Sequence, residues 1–267
     1  MSKGKIGLAL GGGAARGMAH IGVLEVLEKE GIPIDMIAGT SAGAAIGALY
    51  AQGKSAGQIK KLATEIGWVQ FFSLVDFALP KSGFIEGTKI KKLLQSVIGD
   101  IDFSDLSIPM ACVATDIESG EEVVINQGPV LEGVRASISV PVIFTAVKRE
   151  DRYLVDGGLV NPVPVSTVRK MGADFVIAVN VVPPMGVKSR RKSKKTKQPG
   201  MFHVMLQSIY IASYAVVKTD LEKADIVIEP QLPNIGFGDF HRTRECIEQG
   251  ELAALTSIAD IKKRLGE

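Results

Sequence analysis

The sequence predicts an α/β protein with a mainly parallel central sheet sandwiched by helices. Three observations carry this reading. The first fifty residues read strand, helix, strand, helix. The short apolar runs that follow also alternate with helical patterns, an order that favours a parallel sheet with helices on its faces. The 267-residue length suits one domain, 1–267, able to bury a sizeable core without disulfide or metal staples.

Taken in order, Lys5–Leu10 reads as a short buried strand that runs into Gly11-Gly12-Gly13. Apolar residues at Ile21, Leu24 and Leu27 predict a helix over Gly17–Lys29, stopped by Gly31. Ile34–Ala38 is a second strand, and Ala42–Ala51 a helix of small residues that ends near Gly53. Helices follow over Ser55–Ile66 and Thr88–Val97, then strands over Met110–Thr115 and Glu122–Ile125. Val130–Ala136 is helical and stops before Pro141. Tyr153–Val155 is a strand running into Asp156-Gly157-Gly158, and Val165–Met171 a short helix. Asp174–Val182 is a strongly apolar strand. A long helix over Val204–Lys223, a strand over Ile226–Glu229 and a closing helix over Arg244–Arg264 complete the chain.

Composition narrows the function classes. Hydrophobic residues at 46% and charged residues at 22% exclude a wholly disordered chain. Two cysteines, Cys112 and Cys246, exclude a disulfide framework and a four-cysteine zinc site, and Cys112 within Met110–Ala114 reads as a small core residue. The N-terminal Lys3 and Lys5 precede only a short apolar run, so a signal peptide is not expected. No apolar run approaches eighteen residues, so no membrane-spanning helix is expected, and a cytoplasmic protein follows. A net charge of +2 does not call for nucleic acid. The charge is uneven, however. Residues 187–200 hold Lys188, Arg190, Arg191, Lys192, Lys194, Lys195 and Lys197 with no acid. This run reads as a solvated flexible loop, or as a contact with anionic lipid head groups at the inner membrane surface, each cation contributing about 1 kcal/mol there.

Gly39-Thr40-Ser41-Ala42-Gly43 fits the G-x-S-x-G nucleophile elbow, between a strand and a helix as that motif requires. Ser41 would stand at a helix N-terminus, whose partial positive charge favours a developing anion; the bland alternative is a helix cap. Gly11-Gly12-Gly13-Ala14-Ala15-Arg16-Gly17 joins the first strand to the first helix. Such a loop can turn backbone N–H groups toward a phosphate or toward the oxyanion of an acyl transfer. It lacks the Gly-Lys-Ser/Thr ending of a P-loop, and its last glycine falls one residue late for a dinucleotide fingerprint. Beside a nucleophile elbow, the oxyanion reading is preferred.

A serine nucleophile needs a base. His20, packed or partly exposed on the first helix, and His203, which opens the long helix, read as structural, whereas His241 follows a glycine-containing turn and could complete the chain order Ser, Asp, His. Asp156 ends a strand and precedes two glycines, which allow a sharp turn that presents the carboxylate to a ligand. Trp68, Phe71, Phe72 and Phe77 concentrate aromatic surface in the segment Trp68–Leu79. They either cover the core or wall an acyl chain.

These elements resemble the patatin-like phospholipase family, in particular its small bacterial members. The resemblance rests on Gly11-Gly12-Gly13-x-x-Arg16-Gly17, Gly39-Thr40-Ser41-Ala42-Gly43, Ala136-Ser137-Ile138-Ser139-Val140-Pro141 and Asp156-Gly157-Gly158, with their order and spacing, across residues 7–164. It implies a three-layer α/β/α fold and a Ser41–Asp156 dyad in place of a triad. It also implies an oxyanion hole at Gly11, Gly12 and Gly13 with the amide of Ala42, framed by Arg16, Gly17, Gly39, Gly43, Gly157 and Gly158. Arg16 would brace the loop or meet a phosphate head group. The implied activity is serine-dependent hydrolysis of a lipid or fatty-acyl ester, a phospholipid or lysophospholipid, with no metal or cofactor. No calcium-loop spacing is present. Two alternatives use other chemistry: a lipid transacylase with the same site, and a non-catalytic phosphate-binding module built on Gly11–Gly17.

Overall fold

The computed structural model describes residues 4–65, 87–182 and 200–266. The aromatic segment Trp68–Leu79 and nearly all of the basic run lie outside the described residues. The elements are β1 (Ile6–Leu10), a 3₁₀ turn (Ala14–Met18), α1 (Ala19–Lys29), β2 (Met36–Thr40), α2 (Ala42–Ala51), α3 (Ala56–Glu65) and α4 (Gly87–Ile98). After these come β3 (Met110–Asp116), β4 (Glu122–Ile125), α5 (Val130–Ser137), β5 (Val147–Arg149) and β6 (Arg152–Asp156). The described chain closes with α6 (Val165–Lys170), β7 (Phe175–Val179), α7 (Met201–Leu221), β8 (Ile226–Ile228) and α8 (Thr243–Leu265).

The strands form one mixed sheet in the order β5-β6-β3-β2-β1-β7-β8. Its core, β8-β7-β1-β2-β3, is parallel, and β4 and β6 both add antiparallel to β3. The central strands are buried on both faces, so they read as continuous apolar runs rather than alternating ones. Their period-2 geometry sorts the side chains. Leu8, Leu10, Ile37, Ile177 and Val179 enter one core with Ile21 and Leu24 of α1, Ile46 and Leu49 of α2, and Ile247 and Ile258 of α8. Ala9, Met36, Ala38, Val176 and Ala178 enter a second core with Val165 and Val168 of α6 and Val217 of α7. Helices therefore cover both faces, and the architecture is α/β/α.

Several bounds differ from the sequence reading for identifiable reasons. The first helical region opens with the 3₁₀ turn at Ala14, and regular helix starts at Ala19. β2 is displaced two residues toward Thr40, whose buried hydroxyl is satisfied by donating to the Asn161 carbonyl at 2.8 Å. β5 is not marked by the sequence pattern; two of its three residues are cationic, and among the described residues it pairs with β6 alone, at the sheet edge.

Candidate active site

The parallel strands end together beside the loops that follow them, where open α/β sheets bind ligands. At the end of β2 the chain turns sharply. Ser41 has φ 54° and ψ −119°, a backbone conformation rarely adopted outside glycine, and such conformations cost about 1–3 kcal/mol. Helix α2 starts at the next residue. The elbow needs its glycines because other backbone approaches closely. A Cβ on Gly43 would stand 2.1 Å from the Leu10 carbonyl oxygen, and one on Gly39 would stand 2.6 Å from the Ala44 nitrogen. Ser41 is buried and its hydroxyl makes no helix-capping hydrogen bond, so capping does not account for it.

The glycine loop lies alongside. The Gly11 amide donates to the Val179 carbonyl at 3.1 Å and the Gly12 amide to the Pro162 carbonyl at 2.9 Å. Those two donors hold the loop in place, which narrows the expectation that all three glycines serve an oxyanion. Among the described residues no hydrogen bond engages the Gly13 amide. Ala42 is the first residue of α2, where an amide has no acceptor within its own helix. Buried Arg16 braces the loop: its guanidinium donates to the carbonyls of Val181 at 2.8 Å, Leu232 at 2.9 Å and Ile235 at 3.5 Å. Burial lowers its pKa to about 10. His20 Nε2 lies 2.7 Å from the Gly11 carbonyl oxygen. That oxygen can only accept, so Nε2 carries the proton. Burial lowers the imidazole pKa to about 4, with the Gly11 contact opposing. Gly17 stands against Ala42 on the far side of the loop.

Asp156 ends β6, where pairing with β3 brings it beside Ala114. It is buried. Its Oδ1 accepts from the Gly158 amide at 2.8 Å, within the short turn that opens at Gly157. Burial raises the carboxyl pKa to about 6, against the Ser41 hydroxyl and the Gly158 amide, which both pull it down. The Ser41 hydroxyl is thus near enough to influence the carboxyl, yet among the described residues no hydrogen bond of full geometry reaches Oδ2. Catalytic hydrogen bonds often tighten only around bound substrate.

Two clefts meet at Ser41. One is lined by Gly12, Gly13, Ser41 and Asp156, with Tyr210 and Ser213 of α7 opposite. The other is lined by Met18, Ala42, Ala45, Ile138, Phe144 and Phe240 and is apolar apart from Ser41. The sequence did not point to Tyr210 or Ser213, because α7 is apolar on both faces and its pattern marks no inward side. Burial, followed by the Asp156 charge, pushes the Tyr210 hydroxyl above its usual pKa range. His241 is exposed and lines neither cleft. Among the described residues no group of three or more His, Cys, Asp or Glu side chains is arranged to hold a metal ion.

The family model described as Patatin-like phospholipase matches residues 8–169. An uncharacterized NTE family protein of Mycobacterium tuberculosis (strain ATCC 25618 / H37Rv) is 34% identical over 180 residues, covering 67% of this chain and 50% of the relative. Human patatin-like phospholipase domain-containing protein 6 is 37% identical over 183 residues, 66% of this chain and 13% of that protein. The chain thus spans half or less of these two relatives. Among solved structures, VipD from Legionella pneumophila superposes with a TM-score of 0.65 at 14% identity, covering 97% of this chain and 67% of that one. ExoU, in its complex with SpcU from Pseudomonas aeruginosa, gives 0.53 at 15% identity, covering 99% of this chain and 52% of that one. At such identities these structures speak to the fold alone, whereas the matched region holds all four motifs that carried the resemblance: the chain belongs to the patatin-like phospholipase family.

Proposed function

We propose that this chain is a serine acyl hydrolase that cleaves fatty-acyl carboxylic esters, a phospholipid or lysophospholipid being the favoured substrate, through a Ser41–Asp156 dyad. The observation that carries this is the meeting of Ser41 and Asp156 in one cleft with the carboxyl pKa raised to about 6. An ordinary aspartate is a weak base toward a serine hydroxyl; raising its pKa toward the working pH improves proton abstraction while leaving it ionised at neutrality. Ser41 Oγ attacks the ester carbonyl carbon and Asp156 takes its proton. The Gly13 and Ala42 amides receive the carbonyl oxygen as it becomes anionic, a kind of contact whose removal typically costs about 10²–10³ in rate. The intermediate collapses to an acyl-serine as Asp156 returns the proton to the departing alcohol. Water then attacks the acyl carbonyl with Asp156 again as base; as the acyl–Oγ bond breaks Asp156 returns the proton to Ser41 Oγ, and the fatty acid leaves. The cleft lined by Met18, Ala45 and Phe144 takes the acyl chain, and the leaving group sits in the other cleft beside Asp156, Tyr210 and Ser213.

The test is product analysis on lysophospholipid micelles. Free fatty acid and the deacylated head group in equal amounts are expected. With added alcohol acceptor, predominant transfer to that alcohol would identify a transacylase instead. Phosphate or nucleotide binding without turnover would favour the regulatory module.

The same reading places the substrate in a membrane surface. Helix α7, whose inner face lines the cleft that holds Asp156, exposes Met201, Val204, Met205, Ile211 and Tyr214 outward. In sequence it directly follows the basic run 187–200. Exposed apolar side chains on a helix that follows seven cations in the sequence suit an anionic bilayer. Among the described residues no helix is long and apolar enough to cross one. Deleting residues 187–197 is expected to spare hydrolysis of a soluble short-chain ester and to weaken binding to vesicles containing anionic lipid. Unchanged vesicle binding would remove the contact.

A further inference from the structure

We propose that the turn closing α5 is a positioning device for both reacting residues, with Ser137 as its central side chain. The proposal rests on the reading of Ser41 as nucleophile and Asp156 as base. The motif Ala136–Pro141 marks the family resemblance; Ile138 lines the apolar cleft, but neither serine of the motif has a part in the chemistry above.

Ser137 is fully buried. Its hydroxyl donates to the Val113 carbonyl on β3 at 2.6 Å and accepts from the backbone amide of Ser41 at 2.9 Å. The hydroxyl is thus oriented by one strand and holds the nucleophile at the end of the next. The contact matters because Ser41 sits at φ 54°, a conformation that persists only where its surroundings enforce it. It also occupies the nucleophile's own amide, which directs the oxyanion to Gly13 and Ala42.

Two residues on, the Ser139 carbonyl accepts from the Asp156 amide at 3.0 Å. Thr115 Oγ1 on β3 donates to the Asp156 carbonyl at 2.9 Å. One turn therefore holds the backbone of both partners, and its geometry sets their separation. The turn is itself stiffened. Ser139 Oγ donates to the Arg135 carbonyl at 2.7 Å and accepts from the Arg135 guanidinium, which also donates to the Thr145 carbonyl at 3.2 Å. Just beyond, Val142 holds φ 73°, a genuine outlier for a β-branched residue.

Ser137 touches neither cleft, so it acts through Ser41. Removing its hydroxyl frees the elbow to relax, and small misplacement of a reacting group costs about 10²-fold. The test measures fluorophosphonate labelling rates and soluble-ester kinetics for wild type, Ser137→Ala and Ser137→Cys, each normalised to folded protein by thermal melting. Ser137→Ala is expected to lower the labelling rate and kcat about 10- to 100-fold, with KM and the pH midpoint unchanged; Ser137→Cys should recover part of the loss. Wild-type rates in folded Ser137→Ala, or a change in KM alone, would overturn the positioning role. So would failure of both variants to fold, because the contact would then serve stability. Absence of labelling in wild type would instead overturn the reading of Ser41 itself, and the positioning role with it.

Discussion

Replacing Asp156 by Asn should separate the catalytic and energetic consequences of burying this carboxyl. Burial lifts its pKa from 3.8 to about 6. At about 1.36 kcal/mol per pKa unit, that displacement corresponds to about 3 kcal/mol between the protonated and ionised folded forms. The folded pKa lies above the unfolded one, so the folded state binds more protons between them. The associated stability is fully present below about pH 4 and is lost as pH rises through about 6. Asn has the same shape, stays neutral and can still accept the Gly158 amide. Urea unfolding at pH 4.5 and pH 8 should therefore show the variant gaining about 2 kcal/mol on wild type between the two, the first ~1 kcal/mol having already been lost at pH 4.5. His20 contributes with the opposite sign: its pKa is lowered to about 4 by burial, so its stability is lost as pH falls from about 6.5 through about 4. It is present in both proteins and cancels in the difference. Turnover of a soluble ester by wild type should fall about tenfold per pH unit below about 6, as ionised base is lost, and should be nearly absent in Asp156→Asn at every pH. A stability difference independent of pH, or substantial turnover by the Asn variant, would refute the reasoning.

Two further outcomes follow from the same geometry. Ser41→Gly should abolish turnover and raise stability by about 1 kcal/mol in urea unfolding, because relief of positive-φ strain outweighs the added chain entropy of glycine; a destabilised variant would mean that the elbow is not strained. Ala45→Phe should shift preference toward shorter acyl chains, since Ala45 lines the apolar cleft. An unchanged chain-length profile over a series of p-nitrophenyl esters would place the acyl chain elsewhere.

What the sequence reveals follows from whether the signal is local. The glycines of Gly39–Gly43 and Asp156-Gly157-Gly158 mark their turns in the sequence, although the backbone that excludes a Cβ at Gly43 is that of Leu10 on β1 and at Gly157 that of Val113 on β3. The apolar runs of β1, β2, β3 and β7 reveal a parallel sheet because both faces are covered. The meeting of Ser41 with Asp156 is not local. It arises from the antiparallel addition of β6 to β3, and only the family resemblance anticipated it. Ser137 is visible as part of a motif, but its hydrogen bonds run to residues distant in sequence, Val113 on β3 and Ser41 just past the end of β2. The roles of Gly11 and Gly12 were read from the flexibility of glycine, and the carbonyls of Val179 and Pro162 that occupy their amides leave no mark nearby in the chain. The sequence leaves Arg16 two roles, and the three carbonyls that accept from its guanidinium, of Val181, Leu232 and Ile235, lie too far along the chain to be read locally.

The central claim is that Ser41 is an activated nucleophile, and intact mass after treatment with a lipid-like fluorophosphonate tests it most directly. The account predicts one adduct on wild type, none on Ser41→Ala, and strongly slowed labelling of Asp156→Asn. Folded wild type that remains unlabelled, or an adduct that persists in Ser41→Ala, would contradict it.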